Sequence, residues 1–447
     1  MSRLGGDAPS VAVVVLDTLR KDTFDATFDW LPGLRFERAF APADFTAPAH
    51  ASLFTGRYPT EHGTVAKHRT LGELPTLAER LREAGYRTRG ISANPHVTAA
   101  RGFDRGFDEL RDAWRYDDFN DVFDWSPYTG SLRRRLRGVA RCLAGSARTL
   151  RSLRHGVDTL LGRETKTDKG ARSAVEAVRR LPTDGREFLF LNLMEVHDPY
   201  VAPESYLPDG PVETLHIDAP LAGADGTRQR AAYEACAAYL SDVYRELFNE
   251  LTATFDIVVT CSDHGHSFGE YGSWGHGYGV FPEAVHVPLV VWDGESTGTT
   301  EATASLLDVH RTVLDAAGCH DAESRGRNLY ELAAAGEGPD RLTEFHGLYS
   351  HRVTWLRDHG YDESTVERWD ATRRGLASAD GYAFDSPDGL RFADSSGGED
   401  ADDGRAAAFV DRVDALVDGL DEMRGDDRAE PVADEKLRER LDDLGYL

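Results

Sequence analysis

Five short runs of strand character, separated by stretches of helical periodicity, restrict this 447-residue chain more than any other feature. The runs are Val11–Leu16, Arg87–Ser92, Phe188–Leu193, Ile257–Cys261 and Pro288–Trp292. Mostly apolar and four to eight residues long, they read as strands buried on both faces, as in a parallel sheet covered by helices. Helical spacing marks Leu74–Ala84, Lys169–Leu181, Arg228–Thr252 and Ala304–Ala317, with Gly85 and Gly318 as stops. This rhythm predicts an α/β fold around a mainly parallel sheet.

Composition narrows the partners. Seventy-seven acidic residues against 51 basic ones give a formal net charge of -26. A surface that acidic repels nucleic acid and anionic lipid, so neither DNA nor RNA is expected as a partner. Lysine is nearly absent while arginine and aspartate are abundant, a bias that fits a salt-adapted, halophilic archaeal source. Cys142, Cys236, Cys261 and Cys319 form no CxxC pair and read as thiols of a reducing compartment. Val11–Leu16 is too short for a membrane span and lacks a basic leader, so cytoplasmic placement without a transmembrane segment is expected.

Two regions break the rhythm. Ser131–Arg163 holds nine arginines and one aspartate. It reads either as a solvated helical insertion paired with the acidic surface or as a basic amphipathic lid or docking helix for an anionic substrate or membrane. Ser395–Asp434, rich in Asp, Gly and Glu, reads as a C-terminal appendage with an amphipathic stretch at Ala406–Met423.

The groups with chemistry sit at strand ends. Asp17 follows Val11–Leu16, and Asp263 and His264 follow Ile257–Cys261, at the carboxyl edge where open α/β sheets build their sites. Two carboxylates and an imidazole suit a divalent metal. Thr46 opens Thr-Ala-Pro-Ala-His-Ala-Ser-Leu-Phe-Thr-Gly56, where Pro48 suits a first helical turn and Gly56 a stop. A hydroxyl there lies where a helix favours anions. It serves as a nucleophile if a metal activates it, or merely as a helix cap. His197, after Phe188–Leu193, and His276, between two glycines, are candidates to bind ester oxygens or protonate a leaving alcohol.

Taken together, Val-Val-Val-Leu-Asp17-Thr-Leu-Arg, Thr46-Ala-Pro-Ala-His…Thr-Gly-Arg-Tyr-Pro59, Asn192…His197-Asp-Pro-Tyr200, Ser262-Asp-His-Gly265 and Trp-Gly-His276-Gly resemble the sulfatase family of the alkaline-phosphatase superfamily. The ending Glu439…Leu447 is similar as well. The resemblance implies a three-layer α/β/α sandwich with a small C-terminal subdomain. We place a catalytic unit at 8–335, with the basic insertion at about 125–168, and the subdomain and acidic tail at 336–447. It also implies one divalent metal held by Asp17, Asp263, His264 and the nucleophile Thr46, and substrate contacts from His50, His197 and His276.

This chain departs from the family where sulfatases carry the Cys or Ser that becomes formylglycine. Threonine cannot become that aldehyde, because its extra methyl would leave a ketone. His50 and His276 stand where the family has an Arg and a Lys. A Thr nucleophile is similar instead to the phosphodiesterases, phosphonate hydrolases and phosphoglycerol transferases of the superfamily. The expectation is therefore a hydrolase of phosphate (di)esters or phosphonates acting on a small-molecule, glycan or lipid ester. A headgroup transferase, a genuine sulfate esterase and a non-catalytic binding protein are the alternatives.

Overall fold

In the computed structural model, which describes residues 8–112, 168–182, 185–212, 225–393 and 403–421, Val11–Leu16 forms a fully buried strand, β1. It lies inside an eight-stranded sheet. The other strands are β2 (Leu34–Phe36), β3 (Arg87–Ser92), β4 (Glu109–Asp112), β5 (Glu187–Leu193), β6 (Ile257–Cys261), β7 (Leu289–Trp292) and β8 (Gly298–Thr300). Their order is β8-β2-β7-β6-β1-β5-β3-β4. Every neighbouring pair is parallel except those made by β7, which runs against both β6 and β2. A strand buried on both faces shows the same apolar run in either direction, so this reversal leaves no trace in the sequence.

The period-2 alternation of β1 sorts its side chains into two cores. Val11, Val13 and Val15 pack with Leu53 and Phe54 of the Thr46–Thr55 helix, Leu81 of Leu77–Glu83, and Val309 and Val313 of Leu306–Ala316. Ala12, Val14 and Leu16 pack with Phe24, with Val175 of Ala171–Val178, and with Leu240 and Val243 of Thr227–Thr254. The result is a three-layer α/β/α sandwich. Each fully buried valine or leucine contributes roughly 1.5–3 kcal/mol.

Helix boundaries follow local caps more closely than apolar spacing. The helix expected from Leu74 begins at Leu77, because Thr76 caps it: its hydroxyl accepts from Glu79 N–H at 3.1 Å and its own N–H reaches Glu79 Oε2 at 2.8 Å. The helix expected from Ala304 begins at Leu306, because Ala304–Ser305 pairs as a short strand with Ala39–Phe40. The stretch expected at Lys169–Leu181 is helical over Ala171–Val178, and that expected at Ala406–Met423 over Asp403–Val417.

Beyond residue 340 come four antiparallel strands in sequential order: β9 (Arg341–Phe345), β10 (Arg373–Ser378), β11 (Gly381–Ser386) and β12 (Gly389–Ala393). This sheet is keyed into the larger one. Phe345, Tyr382 and Phe384 join the same core as β1, Arg341 pairs with the buried Asp308, and Tyr382 Oη donates to the Val280 carbonyl at 2.8 Å. The basic segment at 131–163, Cys142 and the ending at 439–447 lie outside the described residues. Among the described residues no helix is long and apolar enough to cross a membrane, and Cys236, Cys261 and Cys319 are free thiols.

Candidate active site

Register brings the chemistry together. Val15 of β1 lies opposite Asn192 of β5 and Cys261 of β6, and Ser92 of β3 lies opposite Asn192. Four parallel strands therefore end level, so that Asp17, Asn94, Asn192 and the Asp263-His264 pair leave the sheet at one edge.

Asp17 is wholly buried and its carboxylate is held from three sides. Thr18 Oγ1 donates to Oδ1 at 2.8 Å, while Asn94 Nδ2 and Asn192 Nδ2 both donate to Oδ2 at 2.8 Å. Thr18 itself has φ of 66°, a left-handed conformation that strains a β-branched residue by about 1–3 kcal/mol. In that conformation its N–H donates to Asp263 Oδ1 at 3.1 Å, tying the two strand ends together. Ser262 adds a second tie, accepting from Leu19 N–H at 3.0 Å and donating to the His264 carbonyl at 2.6 Å.

Thr46 is the first residue of its helix. Phe45 occupies the N-cap without a side-chain cap, so the Thr46 hydroxyl is not used for capping. It lies 3.3 Å from His264 Nε2 and accepts from Asn94 Nδ2 at 3.2 Å. Asn94 thus bridges Asp17 and Thr46, its amide orientation fixed because His96 N–H donates to its Oδ1 at 2.8 Å. His50 sits one turn along: Nδ1 is 2.9 Å from the Thr46 carbonyl and Nε2 is 3.2 Å from Asn192 Nδ2. Both of its ring nitrogens are therefore engaged in bracing the helix start against β5.

The electrostatics favour a cation. Burial and the neighbouring Asp17 push Asp263 up to about 8. For Asp17, burial acts upward, but His197, His264 and His50 together draw it below its ordinary value. Ligand atoms of Asp17, Asp263 and His264 all lie within 4.8 Å of one another. Asp263 Oδ2 is buried with no hydrogen-bond partner among the described residues. His264 Nδ1 lies 2.9 Å from the Gly265 carbonyl, a contact that makes Nε2 the lone-pair nitrogen facing Thr46. Two buried carboxylates, one with an orphaned oxygen, and an imidazole presenting a lone pair fit a divalent metal.

Three more imidazoles line the next wall. The His276 ring lies 4.5 Å from that of His264, 5.1 Å from His197 and 5.8 Å from His266. Gly275 and Gly277 on either side have φ of 80° and 75°, and Arg352 Nη1 donates to the carbonyls of His276 at 2.7 Å and Gly277 at 2.9 Å. Burial, then the imidazoles of His264, His197 and His266, push His276 well below its ordinary value. It is neutral at physiological pH, which suits it to binding better than to giving up a full proton.

Thr46, Asp17, Asp263, His264, His50, His197 and His276 are all brought into this one region. Sequence reasoning passed over Asn94, Asp198 and His266. Asn94 carried a usable signal, since it follows Arg87–Ser92 by two residues just as Asp263 follows Ile257–Cys261. His266, whose Nε2 is 3.0 Å from the Tyr200 hydroxyl, lies only two residues past His264 and carried no such signal.

A mainly parallel sheet between helical layers, with carboxylates, imidazoles and a hydroxyl at its carboxyl edge, is an alkaline-phosphatase-like architecture. The chain belongs to the sulfatase family: the family model described as Sulfatase matches residues 18–319. Among curated proteins it is 26% identical to choline-sulfatase of Rhizobium meliloti (strain 1021) over 360 residues, 69% of this chain and 68% of that one. Among solved structures it resembles the phosphonate monoester hydrolase of Agrobacterium radiobacter, with TM-score 0.63 and 20% identity over 92% of this chain and 95% of that one. The phosphonate monoester hydrolase SpPMH of Silicibacter pomeroyi gives TM-score 0.62 and 19% identity over the same shares, 92% and 95%. The protein is thus a hydrolase of phosphoric or sulfuric esters, in a family whose members normally bind a metal ion.

Proposed function

We propose that this hydrolase cleaves phosphate diesters or phosphonate monoesters through a covalent intermediate on Thr46. The observation that carries the reading is the Thr46 hydroxyl at a helix start, 3.3 Å from His264 Nε2 and 3.2 Å from Asn94 Nδ2. A divalent metal bound by Asp17, Asp263 and His264 would supply Lewis acidity, lowering the pKa of the Thr46 hydroxyl and drawing charge from a non-bridging ester oxygen. Asn94 orients the Thr46 oxygen, and the start of the helix favours the anionic group being transferred. Thr46 gives up its hydroxyl proton to solvent, and its Oγ forms the bond to phosphorus as the bond to the leaving oxygen breaks. The electron pair departs on that oxygen, which takes up a proton, from solvent or from His197, to leave as the alcohol. His197 and His276 line the side from which that alcohol leaves. Water then cleaves the Thr46 ester and frees the enzyme.

Phosphorus is preferred over sulfur because threonine cannot supply the hydrated aldehyde that sulfatases use. A second reading, sulfate ester hydrolysis by unmodified Thr46, is favoured by the choline-sulfatase relative. The test compares nitrophenyl phosphodiester, phosphonate, phosphate monoester and sulfate with metal-reconstituted wild type and Thr46→Ala. Phosphodiester or phosphonate turnover that falls about a thousandfold or more in the variant is the expected result. Sulfate turnover with the same dependence would shift the assignment to the second reading, and full activity in Thr46→Ala would end both.

A further inference from the structure

Arg101 is a buried cation that no carboxylate among the described residues pairs with. It is 5% exposed, and its Nε is buried with no hydrogen-bond partner among those residues. Arg20, Arg57 and Arg341, buried to a similar depth, each meet a carboxylate: Asp22, Glu61 and Asp308. Burial, and then the neighbouring Arg69, push the Arg101 guanidinium down to about 10, so it keeps its charge at pH 7. Tyr349 does not offset that charge, because burial holds its phenol up at about 12 against Arg69 and Arg352. Thr98, which opens the short turn ending at Arg101, adds a buried hydroxyl that also lacks a partner among the described residues. A buried charge left without a partner is costly, and an anion would relieve it.

We propose that Arg101, with Arg69 beside it, binds a second anionic group on the substrate, so that the preferred ester carries a carboxylate or phosphate besides the group Thr46 attacks. The proposal rests on the phosphoester reading above and names its substrate class. The position suits such a role. His96 N–H donates to Asn94 Oδ1 at 2.8 Å, and Asn94 in turn donates to Thr46. The His96 ring lies 6.4 Å from the Tyr349 ring, nearly parallel to it, and the Arg69 guanidinium lies 5.1 Å from the same ring. Phe45, the residue before Thr46, packs edge-on against Tyr349 at 5.0 Å. Burial, then Arg101, Arg69 and His197, push His96 well below its ordinary value, so this neutral ring is within electrostatic reach of the arginines and of His197 alike. Arg69 is half-buried, which leaves an approach to the pair. A net charge of -26 repels anions in general, so selecting one takes a local concentration of guanidinium. Guanidinium also matches carboxylate and phosphate in bidentate geometry.

Binding to metal-reconstituted Thr46→Ala, followed by titration calorimetry, tests this without turnover. The probes are alkylphosphonates of graded chain length ended by methyl, carboxylate, a second phosphonate or trimethylammonium. At one chain length an anionic end should tighten binding about tenfold over methyl, as one charge-assisted contact would, and the ammonium end should weaken it. The better of the two anionic ends identifies the second group. Adding Arg101→Met should bring the anionic preference to about one while the thermal midpoint stays level or rises, because an unpaired buried charge has been removed. No anionic preference at any length, a preference that survives Arg101→Met, or a lowered midpoint marking Arg101 as structural would overturn the proposal. The probes are never turned over, so failure of the Thr46 reading in the ester panel and failure of this preference are separate results.

Discussion

Asn94 holds two groups at once, giving one amide hydrogen to Asp17 and the other to the Thr46 oxygen. Asn94→Ala removes both hydrogen bonds without creating a buried charge. It should lower kcat/KM by about 10–100-fold, the usual effect of removing a group that orients a metal ligand. Circular dichroism should be unchanged, and steady-state kinetics with the best ester of the panel checks the loss. An effect below twofold would mean that Asp17 and Thr46 are positioned without it. At this scale much of the site was legible. Asp17, Asp263, His264 and His197 were nameable from the strands they follow, Thr46 from the start of a helix, and His276 from its flanking glycines. Asn94 was overlooked despite its place two residues past a strand end, because an amide carries no titratable signal and its bridging role is visible only once β3 lies beside β5.

The loop around His276 is the element on which the second wall depends. Gly277 has φ of 75°, and a Cβ there would fall 2.7 Å from Arg352 Nη1. Gly277→Ala therefore combines backbone strain with displacement of the guanidinium that grips the loop. We expect a loss of about 1–3 kcal/mol in unfolding free energy and a marked fall in turnover, measured by urea denaturation and kinetics. Wild-type stability in that variant would show that the loop adapts. Among elements, the long central strands were readable because burial on both faces imposes apolar runs. The short strands Leu34–Phe36 and Gly298–Thr300 were not, since three residues are too few to display a period. Nor was the start of the Leu306–Ala316 helix, which a strand pairing decides.

Across the whole molecule, buried imidazoles set the response to acid. His62 lies inside, with Nε2 3.0 Å from Ser52 Oγ and Nδ1 accepting from Thr64 N–H at 3.1 Å. Burial pushes it down to about 3, against the pull of the Glu344 carboxylate. Folded His62 therefore stays neutral while the unfolded chain takes up a proton below about 6.5, so stability is lost as pH falls from 6.5 towards 3. One such group contributes up to about 1.4 kcal/mol per pH unit in that window. His62→Gln should flatten the dependence by about one proton, as read from denaturation midpoints between pH 6 and pH 4; an unchanged slope would count against this assignment. The C-terminal sheet is equally part of the whole. A chain ending at residue 340 loses Phe345, Tyr382 and Phe384 from the main core and leaves Asp308 buried without Arg341. We expect it to be insoluble or molten, and a sharp unfolding transition from that fragment would refute this. The sequence marked a C-terminal subdomain only through its resemblance to a family, because the interlock is made of contacts between distant segments. That same interlock of distant segments has a consequence for how the protein is born. Thr18 and Asp263, tied by one hydrogen bond, are separated by 245 positions along the chain. Closing so large a loop is entropically slow. During synthesis on the ribosome, Asp17 and Thr46 emerge long before Asp263 and His264, so the nascent chain cannot bring these four groups together until more than half of its residues have been made.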